Sequence, residues 1–308
     1  MYAGVMSIST VLARPYEIFD TTIVRRERLT PQLVRLTFGG EALNQLADRG
    51  YDQRIKLIMP QPGGDPLGEF PRGDDWFTLW RGMPQSRRPA IRTYTVGAVR
   101  PGEIDVDMVD HGTAGPGSRL ATTGRLGQEV GIVGPHAAYE GDHGGLEFRR
   151  DLAGSARQLI VGDESALPAI AGIVRELPQS ATGLVCIETS SDRGRLDLPA
   201  PHGVDVRWCT AENGRGVDQR AIVHAWMSQH HVDAVSDART TVYFDGTDDA
   251  YWEVSDPASR ARTTELSAWV AGESSVVKDL RRMLVGEFDV PKAAVAFMGY
   301  WRVGCAGA

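Results

Sequence analysis

The sequence predicts two domains in series: an N-terminal antiparallel β-barrel over residues 16–140, then a Rossmann-like α/β domain with a parallel sheet over residues 157–308. Three observations carry this. The first half is a run of short alternating strands, with tight turns and no long helix between them, the pattern of a small barrel. At Gln158-Leu159-Ile160-Val161-Gly162 the grammar changes to a wholly apolar strand followed by a helical stretch, and strands then alternate with helices. That alternation implies parallel pairing through crossovers. The length of 308 residues suits two medium domains.

The elements follow in order. Residues 1–15 read as a leader. Residues 22–29 and 33–38 alternate as strands around a Thr30-Pro31 turn, and Gly39-Gly40 closes the second. A short helix is predicted over 41–49, and a strand over 54–59 stopped by Pro60. Residues 60–75 are rich in Pro, Gly and Asp and read as a loop. Strands over 92–99 and 103–110 flank the turn Arg100-Pro101-Gly102; 119–123 forms a helical turn and 129–133 a strand. Residues 139–157 form the linker. Beyond it, strands are predicted over 158–162, 182–188, 204–209 and 266–270, and helices over 166–177, 219–229 and 274–288. Residues 245–264 are an acidic, aromatic-bearing loop, either a solvated excursion or a lid.

A net charge of −7 argues against a nucleic-acid partner, which favours a basic face. Cys186, Cys209 and Cys305 are odd in number and widely spaced, with no Cys-x-x-Cys pair, so neither a zinc knuckle nor an iron–sulfur cluster is expected. His224, His230 and His231 are six and seven apart and lack the i, i+4 pairing of a helical metal site, so no metal is expected. The N-terminus lacks a signal-like basic-then-apolar pattern, and no run approaches the roughly 18 apolar residues of a membrane span. The expectation is a cytoplasmic protein.

The chemistry is concentrated between Arg92 and Pro135. Arg92 offers a planar, permanently charged fork to phosphate oxygens, and Tyr94 shares its strand face and can stack on a flat ring. Thr93 lies between them and Thr95 adds a hydroxyl. In His111-Gly112-Thr113-Ala114-Gly115-Pro116-Gly117-Ser118 the small residues admit close backbone approach and present donors to a second anionic group. His111 either positions this loop or touches the ligand, and backbone contacts fall near Val109. Asp105 and Asp107 share a strand face, read as solvated; together with Asp110 they are not expected to do acid–base work. In the second domain Gly162-Asp163-Glu164-Ser165 and Ala271-Gly272-Glu273 fall at the carboxyl ends of predicted strands, where open parallel sheets bind ligands.

An Arg-x-Tyr-Thr strand followed by a Gly-rich turn resembles the flavin site of the ferredoxin-reductase-like superfamily. The ordered set narrows the resemblance to the siderophore-interacting proteins. It comprises His111 to Ser118, Gly127-Gln128-Glu129-Val130 with Gly134-Pro135, Gly162 to Ile170, Trp269-Val270-Ala271-Gly272-Glu273 and Gly299-Tyr300-Trp301-Arg302-Val303-Gly304. It spans about residues 16–304. The resemblance implies FAD as cofactor, held by Arg92, Thr93, Tyr94, Thr95, Val109, His111, Gly112, Gly115, Gly117 and Ser118. It implies NADPH or NADH at the Gly162–Ser165 and Ala271–Glu273 edges, and reduction of a ferric siderophore beside Lys56, Tyr300, Trp301 and Arg302. Arg281 and Arg282 are open to a 2′-phosphate or to solvent.

Two positions depart from the family pattern. Gly97 stands where an arginine is common, with Arg100 as a candidate substitute, and Leu120 stands where a tryptophan is frequent. No Gly-x-Gly-x-x-Gly follows the Ile160-Val161 strand, which leaves room for a general flavin reductase or one fed by ferredoxin. A non-catalytic, flavin-bearing siderophore-binding protein is the reading from another class.

Overall fold

The computed structural model describes residues 13–61, 67–112, 115–230, 240–243, 251–255 and 265–304. Most of the 1–15 leader, parts of the 60–75 and 245–264 loops, Thr113, Ala114, His231 and Cys305 lie outside them. Strands β1 (Tyr16–Arg28), β2 (Leu33–Gly39), β3 (Arg54–Met59), β4 (Ala90–Thr95), β5 (Ala98–Arg100), β6 (Glu103–Val109) and β7 (Glu129–Pro135) form one antiparallel sheet in the order β4-β3-β7-β1-β2-β6-β5. Alternation turns Phe19, Leu36, Phe38, Leu57, Ile104 and Ile132 to one side, and the sheet curls into a half-barrel around them.

The sheet's edges approach each other where β4 gives way to β5. The Gly97 N–H donates to the Asp105 carbonyl at 2.8 Å, and a Cβ on Gly97 would stand 3.1 Å from that oxygen. The strand predicted over 92–99 is therefore two strands, broken at Val96-Gly97. The same close approach gives glycine a backbone reason at this departure from the family pattern.

Asp105 and Asp107 are buried, not solvated. Asp105 accepts from the Thr37 hydroxyl at 2.7 Å and from both terminal nitrogens of Arg100, and the Arg35 fork reaches Asp107 at 2.7 and 2.8 Å. Burial alone would raise the Asp105 carboxyl, but Arg100 and Thr37 overcome it and hold the group below the ordinary carboxylate value. Arg100 is thus engaged in the barrel wall.

The second sheet has the order β10-β9-β8-β13-β14-β12-β11. It comprises β8 (Arg157–Asp163), β9 (Thr182–Thr189), β10 (Gly203–Thr210), β11 (Thr240–Tyr243), β12 (Trp252–Ser255), β13 (Leu266–Glu273) and β14 (Val295–Trp301). The five strands from β10 to β14 in that order are parallel, and β12 and β11 extend the sheet antiparallel. Helices α3 (Leu167–Glu176), α4 (Val217–Met227) and α5 (Ser274–Gly286) cover its faces, near their predicted spans. Two further helices, α1 (Trp76–Gly82) and α2 (Pro116–Thr123), belong to the first domain; α1 was not predicted, and the short helix of 41–49 is only a 3-10 segment over Glu41–Gln45.

The 245–264 expectation needs correction. Where described, this stretch is strand β12, paired to β14 with Trp252 opposite Met298, and Trp252, Glu253 and Val254 are buried. The linker is likewise held down. The Asp52 carboxylate, 1 % exposed, accepts from the Glu147 and Phe148 N–H groups at 3.1 and 3.2 Å and from the Trp269 indole of β13 at 2.9 Å. Burial pushes that carboxyl up while these donors pull it down. Asp52 therefore ties barrel, linker and second sheet together, and Leu33 of β2 packs in the same cluster as Ile170 and Ile173 of α3.

Candidate active site

A cavity of about 670 Å³ opens between the two domains. From the barrel it takes Arg92, Thr93, Tyr94 and Thr95 of β4, Asp107 and Val109 of β6, and His111, Gly115 and Ser118 of the Gly-rich turn. From the second domain it takes Ser165 and Pro168 at the start of α3, Arg215 before α4, Trp252 of β12, and the segment from Gly299 to Gly304. Arg54 of β3 completes the wall.

Local chemistry sets the turn. Asp110 anchors it: one oxygen accepts from the Gly112 N–H at 3.1 Å and the Thr122 hydroxyl at 2.6 Å, the other from Arg28 at 2.7 Å. Burial opposes ionisation there, but Thr122, Arg28 and Gly112 outweigh it and lower the carboxyl to about 2. The His111 N–H donates to the Ser118 hydroxyl at 3.3 Å. Gly117 packs beneath Tyr94, and a Cβ there would stand 2.0 Å from the phenolic oxygen. Gly112 and Gly117 thus shape the turn without lining the cavity. Arg92 also lines a second groove of about 340 Å³, shared with Arg119, Leu120 and Gln128, so the Leu120 departure falls there.

The second-domain edge is occupied by its own contacts. Asp163 accepts from the Ser165 and Glu273 N–H groups at 2.9 and 2.8 Å and from the Trp301 indole at 2.9 Å. Glu273 caps α5 through the Ser275 N–H at 2.7 Å and receives the Val303 N–H at 3.2 Å. Burial works against its ionisation, yet the Ser275, Val303 and Val276 bonds keep that carboxyl low. Glu164 accepts from the Ser190 N–H and hydroxyl, both at 2.8 Å. Of the seven residues predicted at this edge, Ser165 alone lines the cavity; Gly162, Asp163, Glu164, Ala271, Gly272 and Glu273 lie behind it.

Of the residues expected beside the substrate, Tyr300, Trp301 and Arg302 line the cavity, while Lys56 does not, its ammonium lying 3.2 Å from the Thr93 hydroxyl. Trp301 has the Arg215 guanidinium 4.7 Å from its ring and the tilted His111 ring 6.0 Å away. Tyr300 stacks on Trp252 at 5.8 Å. Its hydroxyl is buried without a hydrogen-bond partner among the described residues, and burial, helped by the charge of Asp52, pushes the phenol far up. Arg54, Arg215 and Trp252 were missed from the sequence. Alternation places Arg54 on the face of Lys56, a usable signal; Arg215 and Trp252 lie in loop-like text that gives none. Arg281 is held by Glu253 of β12 and Arg282 by Asp279 at 2.8 Å, so both are engaged within the second domain.

The donor set at β4 and the turn fits a flavin carrying a diphosphate: a guanidinium, two threonine hydroxyls, a phenol and a glycine-shaped turn converge on one cavity. Comparison with known proteins agrees. Residues 22–139 match the model of the siderophore-interacting FAD-binding domain, and residues 155–304 that of the siderophore-interacting protein. The chain belongs to the siderophore-interacting protein family.

Among its relatives in that family is the ferric vibriobactin reductase ViuB of Vibrio cholerae, 25% identical over 91% of this chain and 88% of its own length. The NADPH-dependent ferric-chelate reductase of Escherichia coli is 27% identical over 92% of both chains. The fold is shared with the siderophore-interacting protein SipS from Aeromonas hydrophila (TM-score 0.65, 23% identity, 94% of both chains). It is also shared with a siderophore utilization protein from T. fusca (TM-score 0.66, 22% identity, 96% of both chains). No helix among the described residues is long and apolar enough to cross a membrane.

Proposed function

We propose that this siderophore-interacting protein is an FAD-dependent reductase of ferric siderophores, fed by NAD(P)H. The supporting observation is convergence: Arg92, Tyr94, Thr95 and Ser118 from one domain, and Ser165, Trp301 and Arg302 from the other, line one cavity. The names of the V. cholerae and E. coli relatives support the same activity. Bound FAD would supply the conversion of a two-electron hydride into single electrons. One hydride suffices for two ferric ions, with one proton left behind. Oxygen-rich chelators hold hard Fe(III) far better than Fe(II), so each electron releases iron.

In this reading Arg92 and the Gly115–Ser118 turn hold the diphosphate, and Tyr94 and Thr95 hold the ring. The 299–304 segment with Lys56 receives the chelate. No side chain needs to transfer a proton to the iron complex. The cytoplasm, where NAD(P)H is available, is the setting this chemistry requires.

The test is an absorption spectrum of the purified protein loaded with FAD, then anaerobic addition of NADH or NADPH with and without a ferric siderophore. Flavin bands that bleach and return on adding chelate, with Fe(II) trapped, support the proposal. Reduced protein that never passes electrons to chelate sinks it.

A second reading, ferredoxin as electron donor, draws on the second-domain edge, where Asp163, Glu164 and Glu273 bind the protein's own groups. Flavin that stays unbleached by either nicotinamide but bleaches with reduced ferredoxin would favour it.

A further inference from the structure

Resting on the reductase reading, we propose that Glu188, which lines no part of the cavity, is a positioning residue for it. Through the Gly216 backbone it holds Arg215 against Trp301, and so sets how tightly the ferric chelate binds. The sequence makes such a tether necessary. Arg215 stands in Asn213-Gly214-Arg215-Gly216, between two glycines whose φ values are 107° and 76°. Glycine has more backbone freedom than any other residue, so this text alone leaves the arginine free to swing. Arg215 is also exposed and lies outside α4, which begins at Val217.

Glu188 removes that freedom at the buried end of the loop. It lies near the carboxyl end of β9, opposite Asp163 of β8 in the parallel ladder, and is 3 % exposed. One carboxylate oxygen accepts the Gly216 N–H at 2.7 Å, a buried, charge-assisted bond and therefore a strong one. The backbone is packed tightly at this point: a Cβ on Gly216 would lie 2.8 Å from the Val276 side chain of α5. The exposed end of the loop has a weaker hold, with the Asn213 amide donating to the Asp218 carboxylate at 3.0 and 3.1 Å.

The neighbouring strand end holds the other partner. Asp163 accepts from the Trp301 indole at 2.9 Å, and the Arg215 guanidinium lies 4.7 Å from the ring of that same tryptophan. Adjacent carboxylates on β8 and β9 thus fix a ring and the cation over it, and both members of the pair line the cavity. A guanidinium and ring already held together offer a ligand a surface that needs no ordering on binding. The charges facing Glu188 fit this arrangement. Burial lifts its carboxyl above the ordinary value, the Gly216 N–H and Arg215 pull it back, and Asp163 and Asp218 push it up.

The test uses oxidised, FAD-loaded protein without reductant. Calorimetry with ferric enterobactin and with ferrichrome identifies the tighter chelate, and that chelate is then measured on each variant beside the FAD Kd. Glu188→Met is close in size and deletes the acceptor; it should weaken chelate binding about three- to tenfold and leave FAD affinity unmoved. Glu188→Gln keeps an oxygen for the Gly216 N–H and should bind chelate as wild type does. Should the methionine variant not fold, Glu188→Asp, which draws the oxygen back by one methylene, gives the same reading. Arg215→Ala, an exposed change, should weaken the chelate by a similar factor, and adding Glu188→Met should weaken it no further, because both act through one guanidinium. Full additivity of the two changes, a glutamine variant as weak as the methionine one, or FAD affinity lost together with chelate would overturn the inference. Wild type that binds neither chelate, or reduced protein that passes electrons to no ferric chelate, would remove the reductase reading beneath it, a separate result.

Discussion

Gly117→Ala tests the floor of the proposed flavin site most directly. The new Cβ would sit 2.0 Å from the Tyr94 phenolic oxygen, about 1.4 Å short of the 3.4 Å at which ordinary contact begins. Gly117 lies within α2, where alanine is otherwise favoured over glycine by about 1 kcal/mol. Overpacking of this kind costs about 1–3 kcal/mol, so the net loss of apo-protein stability is roughly 0–2 kcal/mol. The larger effect should fall on FAD. If the Tyr94 ring moves away, a ring contact of about 0.5–1.5 kcal/mol is lost, a two- to tenfold rise in Kd. The assay is titration of apo-protein with FAD, followed by flavin fluorescence, with thermal unfolding of the apo form alongside. Adding Tyr94→Phe removes the clashing oxygen and leaves the next ring atom at 3.3 Å. The double variant should therefore regain the stability of Tyr94→Phe alone and most of the FAD affinity. Unchanged FAD affinity in Gly117→Ala, with the overlap visible as lost stability, would refute the assignment of Tyr94 to the flavin ring.

Three further outcomes follow from contacts around the site. Asp110→Ala removes the acceptor that fixes the Gly-rich turn and should raise the FAD Kd severalfold, at a stability cost of roughly 1 kcal/mol because two of its three donors are exposed. The Asp110 carboxyl is lowered from 3.8 to about 2, so its stabilisation is complete above about pH 4–5 and is lost as pH falls toward 2. Wild type should therefore lose stability in that window more steeply than Asp110→Ala, as acid titration of unfolding would show. Arg281→Ala should leave the NADPH-to-NADH ratio of kcat/KM unchanged, because Glu253 already holds the guanidinium; a tenfold loss specific to NADPH would contradict this. Asp163→Ala leaves the buried Glu273 N–H without its acceptor, costing about 1–3 kcal/mol, and also releases the part-buried Trp301 indole and Ser165 N–H, so it should lower the thermal midpoint clearly.

Most of this architecture was legible because the signals are local. Period-two alternation in β1, β2, β3 and β6 needs only the chain itself, and the apolar text of β8 and β13 announces strands buried on both faces. The β4 and turn residues that line the cavity share one continuous stretch, so their convergence could be read from the sequence. What was missed depends on distant partners. The apolar run of β14 becomes a strand by pairing with β13, and β12 by pairing with β14. The text around Trp252 is acidic and aromatic, and nothing in it announces that Trp252 will be buried. Asp105 and Asp107 show the same limit in reverse: alternation gave them a shared face correctly, but Arg35 and Thr37 of β2 and Arg100 of β5, which make that face a buried polar layer, come from the neighbouring strands.

The same distinction explains where specificity can lie. The half of the cavity drawn from β4 and the Gly-rich turn is short-range and shaped by backbone approach, suited to a cofactor that does not change from one family member to another. The other half is assembled from Arg54, Arg215, Trp252 and the 299–304 segment, which meet only after both domains have folded and Asp52 has tied the barrel to Trp269. Residues on such a surface can be exchanged singly without disturbing the flavin floor, provided the Asp52 tie holds. That division predicts a physical asymmetry: changes at Trp252 or Arg302 should move chelate binding while FAD affinity stays constant, and changes at Gly117 or Asp110 should do the reverse. Measuring both affinities on all four variants decides the point, and a Trp252 variant that loses FAD as readily as chelate would show that the two halves are one.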